Sequence, residues 1–456
     1  MKSLRNVTAA VAFASTLALA GLAGAAPAVK GAEVVVDNGD SSNRYDIVFV
    51  GDGYTAEEMG RYKQDVAAAV ETLFSTSPYR EYRSYVNIHR IDVVSAESGY
   101  STLNEEQKDT AFGCTYGYSF RYLRGDKSLI ERTAAVHARD VDVICCLVNT
   151  FQGGTSFGKV CYAGSSGLLY GDDVVTHELG HSIAGLADEY VTEDIEVPGF
   201  LTRTGEVLGR PILRLMGWDF PNATAATGRG SIPWSHWIKE STPLPTPSDV
   251  DECGIHEGAL YLPKNMYRPR SSCLMRHSDT FCEPCREAMV LALSKKVVPF
   301  DFHVEERDDG FALNFTHIVP GPVRARWFVG NRQVSQGADR IFVSRDQIGR
   351  LGTAVDAELQ DATAFVRKDS QRVLIHGYEW RLRKPFIGND LMVTRSRRRA
   401  RRSNVVMRWA QSTFNPLLGD WSEQRRLDRD TEALLERRRV AGPGISSALG
   451  GLFGGR

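Results

Sequence analysis

"VVTHELGHSIAGLADEY", residues Val174–Tyr190, decides how this chain is read. Val174 and Val175 lead in, and Ile183, Ala184 and Leu186 continue an apolar face, so the periodicity predicts a buried helix. Yet the stretch holds two histidines and three acids. His177-Glu178-Leu179-Gly180-His181 is an HExxH motif. On a helix, positions i and i+4 share one face, so both imidazoles can reach one metal ion. Glu178 follows the first imidazole and can reach a water held at the metal. With only 10 histidines in 456 residues, an accidental HExxH has a chance of about one per cent. A buried helix carrying His-Glu-His also needs a compensating partner, and a metal is the natural one.

A catalytic zinc takes three protein ligands and keeps one position open. The third ligand must follow the helix. Gly185 permits the left-handed turn that ends it. In the metzincin pattern the third ligand lies three residues after such a glycine, which here is Asp188. The spacing from His181 to Gly185 is one residue longer than in that pattern, and Glu189 is the rival ligand. Whichever acid is left over is expected to pair with a charged group or to orient a ligand histidine. Met275, in "SSCLMRHSDTFCEPC", stands where a metzincin places the methionine turn beneath its metal.

The rest of the chain is of ordinary globular composition, 42% hydrophobic and 24% charged, with a net charge of −1. No global field points to a nucleic-acid partner. The first 25 residues have Lys2 and Arg5, then an Ala/Leu-rich run, then Ala23-Gly24-Ala25, the pattern of a secretory signal. The mature chain is expected to begin near Ala26 and to work outside the cytoplasm, secreted, periplasmic or at the cell surface. An even number of cysteines in an exported chain predicts disulfides. Cys145 and Cys146, adjacent in an apolar strand, read as buried thiols. Cys253, Cys273, Cys282 and Cys285 gather around Met275 and read as disulfides bracing that turn, with a structural four-cysteine zinc site as the alternative.

"RYDIVFVGDGYTAEEMGRYKQDVAAAVETLF" reads as strand, turn and helix, with Thr55 and Glu58 as a capping box. "YVNIHRIDVVS" is a second strand, and "VDVICCLVN" is a third, apolar enough to be central. "FQGGTSFGKVCYAGSS" suits a sheet edge near Val160–Ala163, where an extended substrate could add a strand. Tyr190–Ser272 is irregular, and a helix follows Cys282. From Phe300 the period changes to short alternating strands, and "RARWFVGNRQV" resembles the Trp-bearing strand of an Ig-like sandwich. The chain beyond Phe386 carries "RSRRRARR" (Arg395–Arg402). It reads as a solvated, partly disordered basic tail, with contact to an anionic surface as the sharper alternative.

"HELGHSIAGLADEY" resembles the signature of the IgA-peptidase-type metallopeptidases, family sixty-four in the usual classification. "DIVFVGDGYTAEE", "FPNATAA…IPW", "HEGALYLPKNMYRPRSSCLMR" and "FCEPCREAM" resemble that family's other blocks, over Asp46–Met289. The resemblance implies a secreted zinc endopeptidase of metzincin-like, α+β fold, with a twisted mixed sheet and an active-site helix. It carries over His177, His181 and Asp188 as zinc ligands, Glu178 as general base and Met275 as the turn methionine. Cleavage of immunoglobulin A is not carried over.

The expected organisation is a signal peptide at 1–25, a zinc peptidase domain at 33–299, a small all-β Ig-like domain at 300–385 and the basic tail at 386–456. The partner expected is a protein or peptide substrate. Tyr190, Tyr267, Arg268, Arg276 and His277 are the candidates for stabilising the oxyanion. Two other functions fit less of the motif. One is a surface binding protein on the same zinc-dependent fold, which would be free to lose Glu178. The other is a zinc amidase acting on cell-wall peptides.

Overall fold

The computed structural model describes residues 26–102, 107–116, 123–138, 140–151, 153–165, 174–191, 220–318, 322–349 and 352–383, together with the backbone of 392–398. The expected signal peptide, part of the irregular segment (192–219) and the tail from 399 onward lie outside the described residues.

The first unit is built on a six-stranded mixed sheet. Its strands are β1 (Ala28–Val36), β2 (Tyr45–Asp52), β3 (Val86–Val94), β7 (Val143–Val148), β8 (Gly154–Phe157) and β9 (Val160–Gly164). They are ordered β1-β3-β2-β7-β9-β8. Strands β3, β2, β7 and β9 run parallel, while β1 and β8 are antiparallel edges. β7 is central, as its unbroken apolar run predicts. Its adjacent cysteines face opposite sides: Cys145 enters the core shared with the helices, and Cys146 enters the core on the other face. Three short strands, β4 (Ser101–Thr102), β5 (Thr115–Tyr116) and β6 (Leu123–Arg124), form a separate small sheet.

The order strand-helix-strand is as read, but several boundaries move. β1 starts directly after the predicted cleavage point, earlier than expected. Helix α1 (Met59–Ser75) begins at Met59 rather than after Thr55. Only half of the capping box forms: Glu58 accepts the Thr55 N–H at 3.0 Å, and its other oxygen accepts from the Ser98 hydroxyl at 2.9 Å. The edge strand is also corrected. Val160–Ala163 lies inside β9, paired on both sides, because the Gly-rich stretch before it folds back as a hairpin through Gly158 (φ +65°). The true edge is β8.

Helices α2 (Lys127–His137), α3 (Val174–Ala184) and α4 (Glu283–Leu293) complete this unit, with a small ladder of β10 (His256–Ala259) and β11 (Leu262–Arg268). Helix α3 lies against β7, β8 and β9 and packs on α1 and α4. No described helix is long and apolar enough to cross a membrane.

The second unit begins at Phe300 with β12 (Phe300–Arg307). It continues through β13 (Gly310–His317), β14 (Val323–Val329), β15 (Arg332–Gln336), β16 (Arg340–Ser344), β17 (Thr353–Asp361), β18 (Ile375–Arg383) and β19 (Met392–Arg398). These strands make two antiparallel sheets, β12-β13-β16 and β15-β14-β17-β18-β19. Phe300, Phe315, Trp327, Tyr378 and Trp380 lie in one core between them, and Trp327 donates its indole N–H to the Ala338 carbonyl at 2.9 Å. The unit extends past residue 385, since β19 pairs with β18 and takes up the first arginines of the basic run.

The two units are pinned together. Arg44 bonds Asp301 at 2.7 Å. Buried Glu287 on α4 accepts the Arg367 and Lys368 N–H groups at 2.7 and 3.0 Å.

Candidate active site and metal centre

Helix α3 is buried nearly all round. Val175 and Leu179 enter the main core, and Thr176, Glu178 and Gly180 are also shut away from solvent. His177 and His181 lie on its partly open face, one turn apart. Gly185 ends the helix with φ +64° and donates its N–H to the His181 carbonyl at 2.9 Å. A side chain in that left-handed conformation would be strained. The turn sends the chain back across the imidazoles.

It brings Asp188 to them. The carboxylate Oδ1 lies 3.0 Å from His177 Nε2 and 3.3 Å from His181 Nε2, and the two Nε2 atoms are 3.2 Å apart. The other ring nitrogens are held by carbonyls: His177 Nδ1–H donates to Leu274 at 3.1 Å and His181 Nδ1–H to Leu186 at 2.6 Å. That fixes each ring with its Nε2 facing Asp188. Burial alone would push both imidazoles down, but the adjacent carboxylate overrides it and holds His181 up at about 10. The three donors thus form a pocket for positive charge.

Glu178 comes within 4.8 Å of both imidazole nitrogens. Burial pushes its carboxyl up to about 7, against the pull of the two histidines. It lies against the backbone of Gly154 on the edge strand, where an added Cβ would come within 2.6 Å of it. Ser156 on the same strand contacts Ser182 on α3 at 2.5 Å. These two contacts seat β8 beside the histidines. Beneath them, an added Cβ at Gly180 would meet Met275 Sδ at 3.1 Å. The methionine therefore underlies the helix, at the place the sequence suggests.

Asp188 and its rival part company in space. Glu189 points the other way, fully buried, and accepts from Asn222 Nδ2 at 2.9 Å. The intervening backbone is held from three sides. Asn222 bonds both the N–H and the carbonyl of Ala187 at 2.8 Å. Glu189 N–H reaches the Met275 carbonyl at 2.8 Å, and Leu260 N–H reaches the Asp188 carbonyl at 2.9 Å.

Of the five oxyanion candidates, Tyr190 lies beside the cluster, its ring centroid 6.5 Å from that of His177 and 6.3 Å from that of His277. The two arginines are engaged elsewhere: Arg268 caps the Glu257 and Gly258 carbonyls, and Arg276 bonds the Ser271 carbonyl. Tyr267 pairs its backbone with that of Thr224.

The sequence does not single out Tyr261, whose hydroxyl donates to Asp188 Oδ2. It sits in the quoted "HEGALYLPK" block, but a tyrosine 73 positions away carries no local signal of that contact.

The expected disulfides are not formed. All eight cysteines are free and buried. The nearest sulfurs in the Met275 region are 3.4 and 3.7 Å apart, far beyond a bond of about 2.05 Å. Cys253 is packed apart, in a cluster with Ile232, Trp234 and Ile255.

Comparison with known families matches residues 34–253 to IgA Peptidase M64. No curated protein matches the chain. The matched span contains the central sheet except the start of β1, the HExxH helix and Asp188. It stops before the Met275 block, which the structure places directly under that helix. Over residues 34–253 the chain is therefore similar to the IgA Peptidase M64 family, a family of metallopeptidases.

Proposed function

We propose that this protein is a secreted, zinc-dependent endopeptidase. His177, His181 and Asp188 hold the metal, and Glu178 is the general base. The observation that carries the reading is the triangle of donor atoms, 3.0 to 3.3 Å on each side. Zinc bound at about 2.0–2.2 Å to nitrogen and oxygen in a tetrahedral site would space its ligands about 3.4 Å apart. The donor set, two imidazoles and one carboxylate with a partly open face, suits a catalytic ion.

Zinc, when bound, supplies acidity to a coordinated water and polarises the scissile carbonyl. The chain's own groups do the rest. Glu178, beside the two imidazoles and shifted by burial to exchange a proton near neutrality, would in its carboxylate form take the proton of the attacking water and pass it to the leaving amine. Tyr190, beside His177, donates to the oxygen that becomes negative. An extended peptide lies along β8, adding a strand to the sheet edge while its scissile bond crosses the histidines. Export follows from the leader at 1–25. The C-terminal sandwich is Ig-like, and with the basic tail it acts outside the chemistry, on substrate or an anionic surface.

The test is metal content and casein cleavage, measured side by side for wild type and Glu178→Ala. The reading expects a zinc-loaded, inert variant beside an active wild type. A wild type that holds zinc but cleaves neither casein nor a broad peptide library points to the binding-protein reading. Cleavage of cell-wall peptides alone points to the amidase. Absence of any histidine-bound metal removes the proposal altogether.

A further inference from the structure

Glu189, the acid not used at the histidines, ends in a second cluster. Its Oε1 lies 3.3 Å from Cys285 Sγ and 3.9 Å from Cys282 Sγ. Cys282 and Cys285 are 3.4 Å apart, and Cys273 and Cys285 are 3.7 Å apart. All four donor atoms lie within 4.8 Å of one another, and all four residues are buried.

Three arguments favour a metal here over packed thiols. First, the distances fit. Zinc–sulfur bonds of about 2.3 Å in a tetrahedral site space the sulfurs about 3.8 Å apart, with sulfur–oxygen edges of about 3.5 Å. Second, Glu189 is 0% exposed, and its Oε2 has no hydrogen-bond partner. A carboxylate removed from water is costly unless something positive meets it. Asn222 satisfies only one oxygen. Third, the surroundings suit bound thiolates. The Cys282 N–H points at Cys273 Sγ at 3.3 Å. Cys282 is the N-cap of α4 and makes no side-chain cap bond of its own, while Cys285 sits in the first turn. That helix end carries the positive pole of its dipole. Soft sulfur donors in tetrahedral array select zinc among common divalent ions.

We propose that Glu189, Cys273, Cys282 and Cys285 bind a second, structural zinc ion. This ion replaces the expected disulfides, and Glu189 takes the place that a four-cysteine site would give to Cys253. The site is closed, with no face left for a substrate. It joins three pieces of chain: the turn after the HExxH helix, the methionine turn and the start of α4. Because Asp188 and Glu189 are neighbours, it also anchors the backbone that presents Asp188. The proposal does not depend on the histidine site's activity.

The full-length chain is loaded with zinc, freed of loosely held metal and measured as wild type and as His177→Ala/His181→Ala. Zinc content and zinc K-edge absorption are the readouts. The expectation is about two zinc ions per chain in the wild type and about one in the variant, the survivor showing a sulfur shell near 2.3 Å. Glu189→Gln and Cys285→Ser should each lower the wild-type content by about one ion. If those variants fail to fold, the histidine variant and the wild-type spectrum still decide.

A folded histidine variant without tightly held zinc overturns the proposal, as does a survivor with only nitrogen and oxygen neighbours. So does peptide mapping that finds Cys273, Cys282 or Cys285 in a disulfide. A wild type with one sulfur-bound zinc and none on histidine supports this site and instead removes the peptidase reading.

Discussion

Asp188 and Glu189 are consecutive acids, both buried, and they serve opposite surroundings. Asp188 faces two imidazoles whose side chains are 17% and 19% exposed, and a tyrosine hydroxyl. Glu189 faces three sealed sulfurs. The first cluster is open on one side, with hard nitrogen and oxygen donors. The second is closed and rich in soft sulfur. Open sites of this kind do chemistry, and closed ones hold structure. One pinned segment of backbone, Ala187–Glu189, serves both, so damage at either cluster should be felt at the other, but unequally.

The sharpest way to break this contrast is to exchange the losses. Asp188→Ala should abolish the histidine-site metal and lower kcat/KM by at least about a thousandfold, leaving the fold intact. Glu189→Ala should instead lower the thermal midpoint first, with a smaller loss of activity in protein that stays folded. Metal analysis, kinetics and calorimetry on both variants decide the matter. The reverse pattern would return the third-ligand role to Glu189.

Asp361 supplies a reference for a buried acid with no cation. It sits under Tyr82 at the junction of the two units, 2% exposed, with Oδ1 unpartnered. Burial pushes its carboxyl up from 3.8 to about 6. The folded state therefore binds more protons than the unfolded one between these values. The stability held by the protonated form is complete below about pH 4 and is lost as pH rises through about 6. Above that, the charged form costs about 3 kcal/mol. Asp361→Asn should thus gain stability over wild type as pH is raised from 4 to 7, by up to about that amount. Parallel unfolding midpoints at several pH values would show a flat difference if the idea is wrong.

Gly154→Ala tests the edge strand against Glu178. The new methyl meets the Glu178 side chain at 2.6 Å, so either the strand or the acid must move. A cost of about 1–3 kcal/mol is expected. It should appear in kcat at unchanged zinc content. Unchanged kinetics would separate Gly154 from the reaction.

The smallest effect is expected from Tyr261→Phe. Losing the hydroxyl on Asp188 should weaken the histidine-site metal by about tenfold and leave the sulfur site untouched. Competition with a graded chelator would measure both.

Much of the site is legible because it is local. HExxH needs only helical periodicity to align His177 and His181, and Gly185 needs only its left-handed turn to end the helix. The apolar run of β7 needs only its length to read as central. The Phe300 boundary follows from a change of period.

Other features are set by contacts distant in sequence. β1 escapes a reading of the sequence because its edge face alternates weakly and it follows directly on an Ala/Leu-rich run. β8 and not β9 becomes the edge because a hairpin's return is not visible in composition. Asp188 and Glu189 differ by one position; the spacing after Gly185 favours Asp188, but the extra residue between His181 and Gly185 leaves Glu189 as a rival. The choice is made by Asn222 and Tyr261, and by three cysteines more than 80 residues downstream. Those cysteines read first as disulfides because an even cysteine count is taken together with the expected export signal. Only the folded chain places a buried carboxylate among them. Residue type and short-range spacing determined which chemistry was available; long-range packing decided which acid met which partner, because burial makes an unpartnered carboxylate too costly to leave alone.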